Sequence, residues 1–500
     1  MDVMPRRKLV GAGVFRQNPG TLLGLLLVLG LSTAADLGFA QQQQLEETAG
    51  GETWQYSVAP TEVSAAGSFS MDKLQRRTFH YFWDLADPET GLIPDRYPSQ
   101  RFCSIAAQGM GYACYVIGVE KGWISREEAA QRVQNSLRFF ANLPQNDQPG
   151  ASGYHGFFYH FLDMDTGRRY DRCELSSIDT TLLMAGVMVC NQYFDQDDPI
   201  EAEIRQLSQQ LVQRIDWQWM VAKSGHVGMG WKPESGFLTA EWKGYDESVL
   251  LHILAAGSEQ SPIESETYQK YTSSYEWAEF YGQTHINFGP LFGHQYSQMF
   301  VDFRGWRDPV NRKHGLDYFE NGRRATRSQI AYAKDNPKGF VGYGEDQWGL
   351  TACDGPGWGE VRFGQQTVLV HNYSARGIAS NYDNDDGTIS PTAAGGSYPY
   401  TPDASRRALK SFWEMNHGVL VGRYGLLDSY NRTFVSRDQV NHNADPEAIW
   451  VNGDYIGIDQ GPILIQTVNQ ESGLIWKLMM QHPTIQRGLK RLDFQQQPLP

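Results

Sequence analysis

The predicted helices of this chain alternate between two kinds, and this alternation limits the fold more than any other feature. Residues 104–118 and 180–194 contain no charged side chain. The segments that follow them, 125–142 and 201–215, each place apolar residues on one helical face. A helix that is apolar all round is buried, whereas a helix with one apolar stripe lies at the surface. Each buried helix is therefore predicted to pair with the surface helix that follows it.

Four further pairs continue this pattern with weaker signals. They are predicted at 248–257 with 264–281, 291–300 with 312–333, 346–353 with 403–416, and 461–468 with 472–481. Six such pairs describe an all-α protein, an (α/α)6 toroid in which an outer ring of helices surrounds an inner ring. An irregular helical protein is the alternative. Segment 157–170, with a turn signal at 164–167, predicts small β-hairpins on the rim.

The two ends of the chain are expected to lie outside this domain. Residues 1–40 combine a basic start, an uncharged Leu-rich stretch at 21–35 and small residues at the end, which predicts a cleaved signal peptide and an exported protein, periplasmic or secreted. An uncleaved anchor is the alternative, although the apolar stretch is shorter than the roughly 20 residues that span a bilayer. Residues 41–68 are predicted as a flexible linker, 69–494 as one catalytic domain and 495–500 as a tail.

Composition narrows the possible partners. The chain has 43 Lys and Arg against 57 Asp and Glu, a net charge of −14 that argues against binding to nucleic acid.

The five cysteines form no Cys-x-x-Cys pair and are interpreted as mostly buried apolar residues, with one or two disulfides left open. Residues 383–387 are predicted as a turn rather than a calcium loop. No cofactor, metal or membrane contact is expected for the mature chain, which we expect to be a monomer.

Carboxylates stand at the predicted starts of several inner helices. Because each outer helix returns the chain, the inner helices run in one direction and all of their N-termini lie at one rim. The polar residues at those starts are Glu174, Asp179, Asp246, Glu247, His294, Glu345, Asp346 and Asp459. Aromatic residues, which suit the flat faces of sugars, make up 13% of the chain. Glycoside hydrolysis needs one acid that protonates the leaving oxygen and a second that activates water or attacks the anomeric carbon.

Glu247 is the candidate general acid. It stands at the start of a very apolar helix, where desolvation raises the pKa of a carboxyl group. Asp246 is predicted to be the N-cap of that helix. Asp179 fits a capping box with Ser176, and Glu174 precedes its helix in a loop, so a purely structural role is the alternative for each of these two acids.

Six longer motifs carry a resemblance to a known family. They lie at 173–180, 229–234, 288–297, 302–305, 349–356 and 457–462. Through them the chain resembles the bacterial glucoamylase-like family, which includes secreted endo-β-1,2-glucanases and the transglycosylating domain of cyclic β-1,2-glucan synthases. The resemblance covers most of residues 71–492, and it implies an (α/α)6 barrel.

The resemblance also implies functional residues. A catalytic Glu is expected in a Gly-Tyr-[Asn/Asp]-Glu motif, which is Glu247 here, and a second acid in the segment that contains Asp179. This chain departs from the family pattern at Asp179, where the glucanases have Glu, and at Ser176, where they have an acid. Glu174 is therefore a second candidate for the base or nucleophile. The departure weakens the implied β-1,2-glucan substrate more than it weakens the implied hydrolase class.

The sequence as a whole predicts an exported glycoside hydrolase that cleaves a glucan, with endo action on β-1,2-glucan as the leading expectation. A glucan transglycosylase and a non-catalytic glycan-binding protein are the alternatives. The residues predicted to bind sugar units are Asp459, Glu345, His294, Arg304, Trp231 and Asp246.

The spacing of the two catalytic acids is a separate expectation. If Glu247 and Asp179 face each other from neighbouring inner helices, the roughly 8–10 Å between helix axes leaves room for a water molecule. This predicts a carboxyl separation near or above about 6.5–9.5 Å and inversion of the anomeric configuration.

Overall fold

Helices form the framework of the computed structural model, which describes residues 67–436 and 438–497. The predicted signal peptide, all but the last two residues of the predicted linker and the end of the predicted tail lie outside the described residues. The α-helices are α1 (Met71–Asp84), α2 (Ile105–Glu120), α3 (Arg126–Asn142), α4 (Ser177–Tyr193), α5 (Pro199–Gln213), α6 (Val249–Gly257), α7 (Ser265–Ser273), α8 (Phe292–Phe300), α9 (Pro309–His314), α10 (Tyr318–Asp335), α11 (Pro391–Gly396), α12 (Pro402–Glu414), α13 (Gly457–Ser472), α14 (Leu474–Gln481) and α15 (Pro483–Arg491). A 3-10 turn, Met415–His417, follows α12.

Six of these helices form the buried interior. Every residue of α6, α8 and α11 is buried, as are most residues of α2, α4 and α13. In chain order each of the six packs against the next, and α13 packs against α2. The amphipathic helices α3 and α5 pack against each other and against their buried partners. The prediction of a helical fold built from buried and surface helices is confirmed.

Two glycines bring α2 and α4 into close contact. A Cβ atom added to Gly186 would lie 1.9 Å from the backbone oxygen of Gly109, and one added to Gly109 would lie 2.1 Å from that of Leu182. Real Cβ atoms do not approach a backbone oxygen so closely, so both positions require glycine. The close packing fixes the spacing between the N-terminal ends of these helices, which carry Ser104 and Asp179.

The structure corrects one predicted pair of helices. Residues 346–353 are not helical and end in the strand Ala352–Cys353; the buried helix before α12 is α11. Gly349 has a φ of 137°, which interrupts the predicted segment. The true helix is only six residues long and ends in two glycines, so it shows no readable periodicity.

Two other predicted helices are divided. Segment 312–333 is two helices, because Gly315 takes a left-handed conformation that ends α9 before α10 begins. Segment 264–281 is α7 followed by the first strand of a hairpin.

Short strands occupy the connections, and they are more numerous than the sequence indicated. The hydrogen-bonded groups are Arg96–Tyr97 with Tyr455–Ile456; Phe102–Ser104 with Phe161–Asp163; Gly153–Tyr154 with Phe157–Phe158; Leu175–Ser176, Gly230–Lys232 and Gly236–Phe237; Trp277–Phe280 with Gln283–Ile286; Trp306–Arg307 with Gln495–Gln496; Ala352–Cys353 with Ser374–Ala375; Gly359–Phe363 with Gln366–Val370; Gly377–Ala379 with Tyr382–Asn384; Thr388–Ile389, Tyr430–Asn431 and Trp450–Val451; Val421–Gly422 with Gly425–Leu426; and Phe434–Ser436 with Gln439–Val440. The predicted turn at 164–167 is present, since Leu162 pairs with Arg169 across it.

The remaining expectations concern cysteines, metals and membranes. All five cysteines are buried, in agreement with the sequence interpretation, and none forms the disulfide that the sequence left open. In segment 383–387, Asp386 pairs with the buried guanidinium of Arg376 at 2.7 Å. Within 67–436 and 438–497, no cluster of His, Cys, Asp and Glu side chains could hold a metal ion. None of the helices described in those ranges is both long enough and apolar enough to cross a membrane.

Candidate active site

A cavity opens where the N-terminal ends of the buried helices meet. The helices α2, α4, α6, α8 and α13, or the residues just before them, each contribute to its wall. Its principal lining residues are Asp95, Arg96, Ser104, His160, Glu174, Ser176, Asp179, Met229, Leu238, Trp242, Glu247, Phe292, Tyr296, Tyr373 and Ile458. The three acids predicted as catalytic, Glu247, Asp179 and Glu174, therefore lie around one cavity.

Glu247 is held two residues before α6 with its carboxyl group in an apolar wall. The residue is 8% exposed, and its Oε2 has no hydrogen-bond partner among the described residues. Its backbone oxygen accepts a hydrogen bond from Ser297 Oγ at 2.6 Å, which fixes the segment against α8. Burial, reinforced by the neighbouring Asp246, raises the pKa of Glu247 well above its usual range. Both effects favour the neutral, proton-carrying form of Glu247, which is the form that a general acid needs.

Asp246 shapes the turn that precedes α6 but does not cap the helix as predicted. The N-cap position is Ser248, and no side-chain cap bond is formed there. Asp246 Oδ1 instead accepts hydrogen bonds from Ser248 N and Tyr271 OH, both at 2.9 Å. Burial raises the pKa of Asp246, and its side chain does not line the cavity.

His160 joins the other two acids. It lies in a bend between two short strands, and its ring stacks on Phe161 with centroids 3.9 Å apart. Nδ1 lies 2.9 Å from Glu174 Oε1, and Nε2 lies 3.5 Å from Asp179 Oδ1. Ser176 Oγ donates to the other oxygen of Asp179, and Ser176 is also the N-cap of α4. The Glu174–His160–Asp179 triad brings residues from three segments to one side of the cavity.

The ionisation of this triad differs from that of Glu247. Burial opposes the charged imidazole, but Asp179 and Glu174 outweigh it and raise the pKa of His160 to about 9. Burial also favours the neutral form of Glu174, yet the hydrogen bond and charge of His160 hold the pKa of Glu174 below its usual value. Burial raises the pKa of Asp179 despite His160 and Ser176. The opposite shifts favour an ionised Glu174 and a neutral Glu247 in the lining of the same cavity.

A second acidic group lies beside the cavity. Asp459, in the first turn of α13, and Asp428 are buried, and each has one oxygen without a hydrogen-bond partner among the described residues. Burial raises the pKa of both carboxyl groups; Asp428 raises the pKa of Asp459 further, and Asp354 raises that of Asp428. Asp354 accepts a hydrogen bond from Arg96 Nη1 at 3.0 Å and one from Asn452 at 2.7 Å. Arg96, which lines the cavity, connects this acidic group to it.

Two of the predicted sugar-binding residues pack against neighbouring side chains, His294 fully buried and Trp231 partly buried. His294 is buried, with Nε2 3.1 Å from Phe288 O and Nδ1 3.2 Å from Asn321. Burial lowers the pKa of His294 to about 3, so the ring is neutral. Trp231 packs against Tyr154 and Trp219, with ring centroids 5.3 and 5.9 Å apart. Neither residue is among those that line the cavity.

Two others lie at the surface. Glu345 does not stand at the start of a helix. Its side chain is 55% exposed, and its Oε2 lies 3.4 Å from Lys334 Nζ. Arg304 pairs with Asp302 at 2.7 Å in a separate depression that also contains Trp476. The structure does not bring either side chain to the cavity.

Sequence reasoning missed several residues that the structure brings to the site. His160, Asp95 and Arg96 line the cavity, and Asp428 stands beside Asp459. All four lie in bends or short strands, where neither helical nor strand periodicity marks them. His160 lies in a run of aromatic residues at 157–161, a pattern equally typical of a hydrophobic core.

Comparisons with known proteins indicate the family of this chain. The "Glycoamylase" family model, described as "Putative glucoamylase", matches residues 239–483, which contain Glu247 and Asp459. A crystal structure from Bacteroides uniformis, described as a "putative glucoamylase", is 33% identical with a TM-score of 0.73. The match covers 85% of this chain and 97% of that one.

Two further relatives have more specific names. An endo-β-1,2-glucanase from Chitinophaga pinensis, solved with sophorotriose and glucose, is 28% identical with a TM-score of 0.71, and the match covers 86% of this chain and 99% of that one. An exo β-1,2-glucooligosaccharide sophorohydrolase (non-reducing end) of Parabacteroides distasonis is 29% identical over 473 residues, 87% of this chain. The match spans only 59% of that longer protein. The chain belongs to the glucoamylase-like family of glycoside hydrolases.

Proposed function

We propose that this protein hydrolyses β-1,2-glucan, with Glu247 as the general acid. The observation that carries the proposal is that one cavity is lined both by Glu247, whose pKa is raised by burial, and by Glu174, whose pKa is held low by His160. Glycoside hydrolysis requires one protonated and one ionised carboxyl group, so pKa values shifted in opposite directions suit this reaction. The names of the relatives from Chitinophaga pinensis and Parabacteroides distasonis support β-1,2-glucan as the substrate.

Glu247 would protonate the glycosidic oxygen as the bond to the anomeric carbon breaks. A carboxylate on the opposite side would take a proton from the attacking water. Glu174 is our choice for this base, because both oxygens of Asp179 are already engaged, one by Ser176 and the other by His160. Activity should fall at low pH as Glu174 gains a proton and at high pH as Glu247 loses one, which gives a bell-shaped profile.

We also propose endo action and a closed ring of helices. The match to the endo-acting relative covers nearly all of that protein, whereas the match to the exo-acting relative leaves much of its length uncovered.

The cyclic packing order of α2, α4, α6, α8, α11 and α13 supports the (α/α)6 toroid. The shared cavity at their N-terminal ends supports the same arrangement.

Incubation of the purified protein with a panel of glucans tests the proposed reaction. We expect new reducing ends from β-1,2-glucan, an early mixture of oligosaccharide lengths, and an inverted first-formed anomer by NMR. Only disaccharide at early times would contradict endo action, and retention would contradict the water-mediated mechanism. Altered chain lengths without new reducing ends would identify a transglycosylase, and binding without either change would identify a glycan-binding protein.

We further propose that the protein is exported after removal of residues 1–40. The basic start and uncharged Leu-rich stretch support this proposal. N-terminal sequencing of protein recovered outside the cytoplasm should begin at Gln41 or close to it. A sequence that begins at Met1 would contradict cleavage.

A further inference from the structure

We propose that His160 is a positioning residue that bridges Glu174 and Asp179 as an imidazolium and so keeps Glu174 ionised for its role as base. This inference rests on the proposed function only for the role of Glu174. The bridge itself is a property of the structure. Nothing in the hydrolysis scheme requires a histidine, so the placement of this side chain needs its own explanation.

The backbone fixes His160 at the junction of the elements that carry the acids. Its N–H donates to Glu174 O at 2.9 Å, and its carbonyl oxygen accepts from Ile105 N, at the start of α2, at 3.2 Å. Stacking on Phe161 fixes the plane of the ring. Nδ1 is hydrogen-bonded to Glu174 and Nε2 lies at ion-pair distance from Asp179, so a doubly protonated ring is attracted to a carboxylate at each end.

The charges around the ring favour that form. Glu174 and Asp179 face it from opposite sides, and Asp95, from the segment before the strand Arg96–Tyr97, adds a third nearby carboxyl group. The nearest basic groups act on the acids: Arg96 pairs with Asp95 at 3.2 Å, and the charge of Lys232 acts on Glu174. The side chains of His160, Glu174 and Asp179 are only 22%, 14% and 7% exposed, so water screens their interaction weakly.

The contacts of the His160 bridge also assign different roles to Glu174 and Asp179. Asp179 is held by His160, by Ser176 and by its position in the first turn of α4, so it serves as a fixed counter-charge. Glu174 is attached through Oε1 and remains the more exposed of the two. A permanent positive charge beside Glu174 lowers the pH at which this carboxylate gains a proton. The imidazolium would therefore extend activity toward acid pH.

Matched variants separate this charge effect from simple packing. In His160→Gln the low-pH limb of kcat/KM should move upward by about one pH unit or more, because an opposite charge within hydrogen-bond distance shifts a carboxyl by about 1–3 units. His160→Lys, which restores the charge, should return the limb toward its wild-type position. His155→Gln should leave the profile unchanged, since this histidine of the same region pairs with Asp216 outside the cavity. A folded His160→Gln enzyme with an unmoved limb would overturn the proposal.

A measurement that does not depend on activity tests the bridge directly. In full-length protein labelled at its histidines, the His160 resonance should stay in the imidazolium state up to about pH 8 or higher. It can be identified by its loss in a His160 variant or by its displacement in Glu174→Gln. Titration near the ordinary value of about 6.5 would overturn the proposal even if the His160 variants fail to fold. If the wild type cleaves no glucan, the proposed function fails, whereas this titration still decides the inference.

Discussion

Glu247→Gln is expected to lower kcat on β-1,2-glucan by about 10²–10⁴-fold, the usual contribution of a general acid. The amide has nearly the same shape as the acid but carries no transferable proton. Oε2 of Glu247 has no hydrogen-bond partner among the described residues, so the exchange breaks no bond to the protein there. The unfolding temperature should therefore change little, and the loss should appear in kcat more than in KM.

The nature of the leaving group gives the sharper test of this role. An aryl β-glucoside with an acidic phenol needs little protonation, so Glu247→Gln should lose far less activity on such a substrate. Glu266→Gln, an exposed acid in the first turn of α7, is the matched control and should behave as wild type. A Glu247→Gln enzyme with more than about a tenth of wild-type turnover on the glucan would remove Glu247 from the role of acid.

The sequence predicted those parts of the molecule in which one physical effect dominates. The uncharged runs that became α2 and α4 could be recognised because a long helix without charge has to be buried. Asp179 and Asp459 could be located because both stand in the first turn of such a helix. These positions follow from local sequence, so no knowledge of the remaining fold was required.

The rest of the site depends on contacts between distant segments. His160 meets Glu174 and Asp179 only after two short strands and α4 have packed together. Asp428 stands beside Asp459 because irregular segments bring it there, and no spacing in the sequence predicts that encounter. Glu345 was assigned to the rim through a helix start that does not exist, since it lies in a turn between the bridged residues Gly344 and Gln347. Local patterns identify helices better than they identify which loops converge.

Glu174→Gln is expected to lower kcat by about 10²–10⁴-fold as well, while Asp179→Asn should cost less than about tenfold. The reason is the difference in their contacts. Asp179 has both oxygens engaged by Ser176 and His160, and an asparagine can still accept one of those bonds. Glu174 combines greater exposure with a lowered pKa, so its loss removes the carboxylate that can accept a proton from water. Measuring kcat for both variants at the optimal pH of each separates this effect from a shifted profile.

Rescue with a small anion shows which carboxylate acts on the water. Azide or formate can enter the space left by a missing base, and azide attack from the face used by water would give a glycosyl azide of inverted configuration. We expect rescue of Glu174→Gln and none of Asp179→Asn. The opposite result would make Asp179 the base and Glu174 its support. If neither variant is rescued and Asp459→Asn is, the base belongs to the second acidic group, and the role proposed for Glu174 is wrong. An inverted azide product from Glu174→Gln would establish that Glu174 and Glu247 act from opposite faces of the sugar.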